Sequence, residues 1–254
     1  MTTIGVFTDL HYAKDVNSKY RYCSVSLKKL EKVIAVFNER KINFAVCLGD
    51  CIDSMRGGQE DMEDLVAVRD CFRALDAPLN IVIGNHDVRS MSKSMFLNTI
   101  QPGRENAYYS FAGGSSKFIV LDANNNADGP YDSGNFNWRK AYIDDEQKSW
   151  FAQELQDGEI DNIIVFVHQN LDERFVDGDI DPHVVANAEQ IRAIMEASGK
   201  AISVIQGHCH AGHEQVINGI GYHTLRAVCE GEDMDSIPYW LVNIDDDRRV
   251  SIDC

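Results

Sequence analysis

The chain has 254 residues, 40 acidic and 24 basic side chains, and a formal net charge of −16. That balance argues against duplex nucleic acid or an anionic membrane as the main partner, and it obliges an anionic substrate to meet locally concentrated positive charge. A hydrophobic share of 44% is ample for a buried core, while seven scattered cysteines without a Cys-x-x-Cys pair read as reduced thiols of a cytoplasmic protein.

The first apolar run, Ile4 to Thr8, follows Met1 so closely that no signal peptide is expected ahead of it. No run approaches the length of a membrane span. This strand delivers Asp9 and His11 at its carboxyl end. A polar loop, Tyr12 to Cys23, leads to a helix from about Ser24, where Val25, Leu27, Leu30, Val33, Ile34 and Phe37 recur at helical spacing. Phe44 to Leu48 is uninterrupted, apolar and too short for a helix, so it reads as a buried strand; Gly49 turns the chain and Asp50 emerges. A second helix is predicted over about Gln59 to Ala74. Pro78 stops it, and the strand Leu79 to Ile83 runs into Gly84-Asn85-His86-Asp87.

This β-α-β-α-β order predicts right-handed crossovers and a mainly parallel sheet. From Tyr108 the pattern changes. Tyr108 to Phe111 and Lys117 to Leu121 read as adjacent strands joined by a glycine turn. Residues 123 to 144 lack periodicity and are expected to form an ordered functional loop. A helix is predicted from Asp145 to about Gln156, then a strand, Ile163 to Val167, presenting His168. A second long loop, 170 to 186, precedes a helix capped by Asn187 and ended at Gly199. The strand Ala201 to Ile205 leads to Gly207-His208-Cys209-His210. Asn218-Gly219 marks a hairpin, and strands Tyr239 to Ile244 and Val250 to Ile252 close the chain. The expected architecture is a single α/β domain over 1–254. It is a layered α/β/β/α sandwich with mixed, partly parallel sheets and flanking helices, and loops 123–144 and 170–186 cover the site.

Five apolar runs thus end in Asp, Asn or His, and in open α/β sheets ligands bind outside the carboxyl ends of strands. Carboxylate, carbonyl and imidazole donors suit Mn²⁺, Fe²⁺, Zn²⁺ or Co²⁺ better than Ca²⁺. The candidate groups exceed the needs of one catalytic ion and fit two ions about 3.5–4 Å apart with a bridging carboxylate. Taken singly, each group has an ordinary reading: Asp9 as a turn residue, His168 as a hydrogen-bonded core histidine. Cys209 is expected to point away from the ligands, and His183, His213 and His223 to be structural, His213 being near enough to the site to watch. In loop 123–144, Tyr131, Phe136 and Trp138 offer stacking surfaces, and Asn124, Asn125, Asn126 and Asn135 offer hydrogen bonds. Arg89 and Arg139 could neutralise a second phosphate. The bland alternative is that these aromatics merely anchor the loop.

In order, Asp9-Leu-His11, Gly49-Asp50-Cys-Ile-Asp53, Gly84-Asn85-His86-Asp87, His168 and Gly207-His208-Cys-His210 resemble the motif series of the calcineurin-like metallophosphoesterases. The resemblance implies that Asp9, His11 and His210 bind one metal ion, that Asn85, His168 and His208 bind the other, and that Asp50 bridges them. It implies that His86 contacts substrate and donates a proton, with Asp87 orienting it, and that Asp53 supports the ligands. Purple acid phosphatases carry a tyrosine where this chain has Asp53, which excludes that branch. The stretches 108–111, 118–122 and 146–150 are loosely similar to the branch holding cyclic-nucleotide phosphodiesterases and Mn²⁺-dependent ADP-ribose/CDP-alcohol diphosphatases. The implied substrate is a small phosphodiester or pyrophosphate, such as a nucleotide derivative. A small phosphomonoester is the alternative, and a non-catalytic scaffold, the role of a retromer subunit with a similar fold, is the competing class. Metal identity and oligomeric state stay open.

Overall fold

Alternation along the first strand sets the layers of the molecule. In β1 (Thr2–Phe7), Ile4 and Val6 enter one apolar cluster and Phe7 enters another, because successive side chains leave a strand on opposite faces. The computed structural model describes residues 1–128, 136–156, 160, 162–245, 247 and 249–253. A 3₁₀ turn at Cys23–Val25 leads into α1 (Ser26–Arg40), followed by β2 (Phe44–Cys47), α2 (Gly58–Phe72), β3 (Leu79–Ile81) and α3 (Lys93–Ile100). Strands β4 (Tyr109–Gly113) and β5 (Ser116–Val120) come next, then a 3₁₀ turn at Trp138–Lys140, α4 (Asp145–Gln156) and β6 (Asn162–Val167). The ribbon β7 (Phe175–Val176) and β8 (Asp179–Ile180) precedes α5 (Ala188–Ser198) and β9 (Ala201–Gln206). The chain continues through β10 (His213–Ile217), β11 (Ile220–Thr224), β12 (Trp240–Ile244) and β13 (Val250–Asp253).

One sheet has the order β13-β12-β1-β2-β3, with β1, β2 and β3 parallel. The other runs β10-β11-β9-β6-β5-β4; its four inner strands are parallel, and β4 and β10 are antiparallel edges. The sheets pack face to face through Ile4, Val6, Phe44 and Val46 against Phe118, Val120, Ile164, Phe166 and Ile205. On the outer face of the first sheet, α1 brings Leu30, Val33, Ile34 and Phe37 onto Phe7, Ala45 and Cys47. On the second, Phe151, Leu155, Ile191 and Met195 of α4 and α5 join Ile119, Val165 and Val204. The result is an α/β/β/α sandwich of two mixed sheets flanked by helices, as the sequence pattern predicts.

Two local features differ from the sequence reading. The short helix α3 is unforeseen, although Ser92 accepts a capping hydrogen bond from the Met95 amide at 3.2 Å and Phe96, Leu97 and Ile100 are buried behind it. Asn187 precedes α5 but does not cap it with its side chain. Its amide instead closes both backbone groups of Ile143, at 2.7 and 3.1 Å, fastening the end of the 123–144 segment to the start of α5. Among the described residues, no helix is long and apolar enough to cross a membrane. Cysteines 23, 47, 51, 71, 209 and 229 are all free thiols.

Candidate metal centre

The carboxyl ends of β1, β2, β3, β6 and β9 meet along one edge where the two sheets touch, and the turns leaving them are hydrogen-bonded to one another. The amides of Asp9 and His11 donate to the carbonyls of Gly49 and Asp50 at 3.1 and 2.9 Å, which pairs the first two turns. Across the sheets, the His208 amide donates to Asp9 Oδ2 at 3.1 Å, and His168 Nδ1 meets the Leu48 carbonyl at 2.9 Å. Gly49 (φ +106°) makes the turn before Asp50. A Cβ on Gly84 would lie 2.2 Å from both the amide nitrogen and Oδ1 of Asp50, so only glycine lets these two turns come together.

Asp50 is the common member of the cluster. Its Oδ2 lies 3.3 Å from His11 Nε2 and 3.2 Å from His168 Nε2, while its Oδ1 accepts the His86 amide at 2.8 Å. On one side, His11 Nε2 is 3.1 Å from His210 Nε2, and Asp9 Oδ1 is 3.6 and 3.5 Å from these two nitrogens. On the other side, Asn85 Oδ1 is 3.1 Å from His168 Nε2, and His208 closes a group with Asp50 and His168. The structure thus brings Asp9, His11 and His210 together on one side of Asp50, and Asn85, His168 and His208 on the other.

Three of the histidines are fixed through the nitrogen that faces away from the cluster. His11 Nδ1 bonds Asp53 Oδ1 at 2.8 Å, His168 Nδ1 the Leu48 carbonyl at 2.9 Å, and His210 Nδ1 Glu230 Oε1 at 3.1 Å. Each arrangement leaves Nε2 turned inward, the usual disposition of a metal-bound imidazole. Among the buried atoms without a hydrogen-bond partner are Asp9 Oδ1 and His208 Nε2 of the cluster and Asp53 Oδ2 beside it. Orphans of this kind are costly unless something binds them.

The electrostatics agree with that fit. Burial alone would depress the pKa of His11, but Cys229, Asp50, Asp53 and Asp9 push it up to about 10. His168 is likewise pushed up to about 9 against burial, by Asp50 above all. Burial works to raise Asp50, yet His168, His86 and His11 hold it well below the ordinary carboxylate range. His208 is driven well below its ordinary value by burial and by His168. The carboxylates draw positive charge into a buried site, and the residues present fit a pair of divalent cations.

His86 lines the same cavity, of about 400 Å³, with His11, Asp50, Asn85, His208 and His210. Its Nδ1 bonds the backbone oxygen of Asp53 at 2.7 Å, and burial pulls its pKa down to about 4. Asp87 has a role other than the one implied. Its carboxylate accepts the amides of Asp50, Cys51 and Gly84 at 2.9, 2.8 and 2.9 Å, so it ties the Gly-Asp turn to the Gly-Asn-His turn, while the His86 ring is held by Asp53. Asp53 stands beside the cluster rather than in it. Its Oδ1 takes His11 and also Arg21 Nη1, the latter at 2.7 Å.

The rim of the cavity corrects the reading of the 123–144 segment. Phe136 is buried in the main apolar cluster and cannot present a stacking face. Asn124 and Asn125 are buried as well. Asn124 donates to the Ile83 carbonyl at 2.8 Å, and Asn125 joins Asp144 at 2.9 Å and Lys93 at 2.7 Å. Arg139 turns from the ligand cluster toward neighbouring clefts and lies 5.1 Å over the Trp138 ring. Tyr131 and Asn135 lie outside the described residues. Trp138 does line the cavity. It meets His183 at 5.0 Å and His208 at 5.5 Å between ring centroids. His183, taken from the sequence as structural, comes to the site from the 170–186 segment, with Nδ1 held 2.6 Å from Asp181 Oδ1. His213 is exposed on an edge strand instead. Arg89 lines the cavity, and Arg21 joins it. Arg21, His183 and Glu230 belong to no strand-end motif, so no spacing in the sequence pointed to them.

A sequence model of the family described as calcineurin-like phosphoesterase matches residues 2–212. No curated protein matches the chain in sequence. Among solved structures, a dimetal phosphatase from Danio rerio superposes with a TM-score of 0.83 at 18% identity, over 96% of this chain and 93% of that one. A purple acid phosphatase from yellow lupin seeds gives 0.62 at 13% identity, over 95% and 48% of the chains. A putative 5′-nucleotidase from Staphylococcus aureus gives 0.60 at 15% identity, over 99% and 52%. At these identities the likeness is one of fold.

Proposed function

Because the chain belongs to the calcineurin-like phosphoesterases, a family of dinuclear metal-dependent phosphoester hydrolases, we propose that it cleaves a phosphodiester or pyrophosphate borne on a nucleotide-sized group. Asp9, His11 and His210 would hold one ion, Asn85, His168 and His208 the other, and Asp50 both. When bound, divalent ions of the Mn, Fe, Zn or Co type supply Lewis acidity at the phosphoryl oxygens and an activated water at neutral pH. His86 has Nδ1 fixed on Asp53, which leaves Nε2 to pass a proton to the departing oxygen. The anionic phosphoryl group would favour the protonated ring that burial otherwise disfavours.

The rim of the cavity carries the choice of substrate class. Arg89 reaches it with no side-chain hydrogen bond or ion pair among the described residues, and Arg21 reaches it from its anchor on Asp53. Two arginines in a chain of net charge −16 favour a substrate with more than one negatively charged group. Trp138 and His183 add a pair of ring faces beside His208, suited to a base or sugar. The test is a comparison of kcat/KM on ADP-ribose, bis-p-nitrophenyl phosphate and p-nitrophenyl phosphate with added Mn²⁺. ADP-ribose should lead the monoester by about ten- to a hundredfold, the worth of one stacked base. A lead for the monoester would overturn the reading in favour of a phosphomonoesterase, and no turnover on any of them would favour the scaffold class.

A further inference from the structure

Lys29 is fully buried on α1, a position where a leucine or methionine would fill the same space without dehydrating a charge. Among the described residues no carboxylate lies within ion-pairing distance of it. Its ammonium group donates instead to three backbone carbonyls, those of Val228 at 2.8 Å, Glu230 at 3.0 Å and Gly231 at 2.7 Å. Three donors meet three acceptors, the full capacity of the group.

The gathered segment is joined to the metal centre at several points. The amides of Val228 and Cys229 donate to the carbonyls of Thr8 and Asp9 at 3.1 and 3.0 Å, and the Ala227 amide donates to the His210 carbonyl at 3.1 Å. From the same segment, Glu230 Oε1 takes His210 Nδ1 at 3.1 Å. The anchors of the other two fixed histidines are rooted at strand ends: His168 rests on the Leu48 carbonyl and His11 on Asp53. His210 alone of the three is oriented by a residue from the loop after β11, and that loop closes around an ammonium ion.

We propose that Lys29 is a positioning residue for one half of the metal centre, an internal cation that gathers the carbonyls of Val228, Glu230 and Gly231 and so sets Glu230 to orient His210. It touches neither metal nor substrate. A purely structural lysine would, when lost, weaken the whole fold and both halves of the centre together. A positioning lysine releases one half.

The test uses metal content and needs no substrate, so it stands apart from what the enzyme hydrolyses. Lys29→Met keeps the buried stem without the charge. After loading with Mn²⁺ and desalting, it should retain about one of two metal equivalents, and adding His210→Ala to it should cost no further metal. Lys29→Ala opens a cavity lined by three carbonyls, and ammonium or methylammonium should restore the missing equivalent where tetramethylammonium, which has no N–H, does not. Glu230→Ala, which leaves Lys29 and its carbonyls in place, should lose the same single equivalent. Two retained metals in folded Lys29→Met, or parallel loss of both with no response to ammonium, would overturn the proposal. Should neither Lys29 variant fold, two retained metals in Glu230→Ala would overturn it alone.

Discussion

The backbone oxygen of Asp53 holds Nδ1 of His86 at 2.7 Å. With that nitrogen engaged, Nε2 is left for the reaction, and its contribution should scale with how poorly the leaving group departs unaided. His86→Ala is expected to keep both metals and to lose about 10²- to 10⁴-fold in kcat on an alkyl phosphodiester. The loss should be much smaller on p-nitrophenyl esters, whose anion needs no proton. Equal losses on both would assign His86 to phosphoryl binding instead.

Asp50 is placed to serve both halves of the centre, being 3.3 Å from His11 and 3.2 Å from His168 through one oxygen. Asp50→Asn should therefore lower occupancy at both metal positions, while His11→Ala should chiefly empty one. Elemental analysis of the purified variants separates the two patterns. Full occupancy in Asp50→Asn would remove the bridging role.

Phe136 and Trp138 are two residues apart and are expected to behave oppositely. Phe136 is a core residue, so Phe136→Ala should cost about 3–5 kcal/mol of stability and leave KM alone. Trp138→Ala should raise KM for ADP-ribose about tenfold or more, within the 1–3 kcal/mol of base stacking, and change KM for bis-p-nitrophenyl phosphate little. Thermal melting and initial-rate measurements on both variants decide it. Equal effects of Trp138→Ala on the two substrates would deny the ring a recognition role.

Removing the metals should destabilise the fold. Each ion that binds only the native state adds about 2.7 kcal/mol when free metal stands at a hundred times its Kd. For a chain of this size that is about 5–10 °C in Tm for each ion lost. A melt after dialysis against chelator, with and without Mn²⁺ returned, gives the difference. An unchanged Tm would mean that the cluster binds no ion tightly.

Gly84 stands too close to Asp50 for any side chain, since a Cβ would meet the backbone there at 2.2 Å. Gly84→Ala should force the two turns apart and cost metal content even where the protein remains folded. An alanine variant with both metals in place would show that the turns can shift without harm.

The candidate ligands were legible in the sequence because each follows an apolar run that ends abruptly, and because parallel strands deliver their carboxyl ends to one edge. Asp9, Asp50, Asn85, His168 and His208 needed no long-range information beyond that rule. The same rule made the layers legible, through alternation in β1 and helical spacing in α1. The residues that hold the ligands were hidden. Glu230 reaches His210 from beyond a hairpin, and His183 reaches the rim from a segment whose only regular structure is a two-residue ribbon. Such contacts depend on tertiary folding, and no local period encodes them. Phe136 misled for a related reason: an aromatic in a loop reads as available for stacking until the fold shows it buried.

Asp9, His11, Asp50 and His208 hold backbone φ values of +54°, +45°, +52° and +68°. Side-chain-bearing residues occupy that region at about 1–2 kcal/mol each, so four of the residues that would hold metal are conformationally uncomfortable in the fold they serve. With metal bound, coordination adds to what offsets that discomfort; in a chelator only side-chain hydrogen bonds remain, such as those of Asp9 and Asp50 to the amides of His208 and His86. Once the side chain's hydrogen bonds are removed, glycine suits such a backbone better than alanine, and Asp9→Gly should melt higher than Asp9→Ala under chelation. A library of variants selected for heat resistance without divalent metal would keep these residues only where their hydrogen bonds outweigh the backbone cost, and drift toward glycine elsewhere. Selection for durability would erase the catalyst before it touched the scaffold.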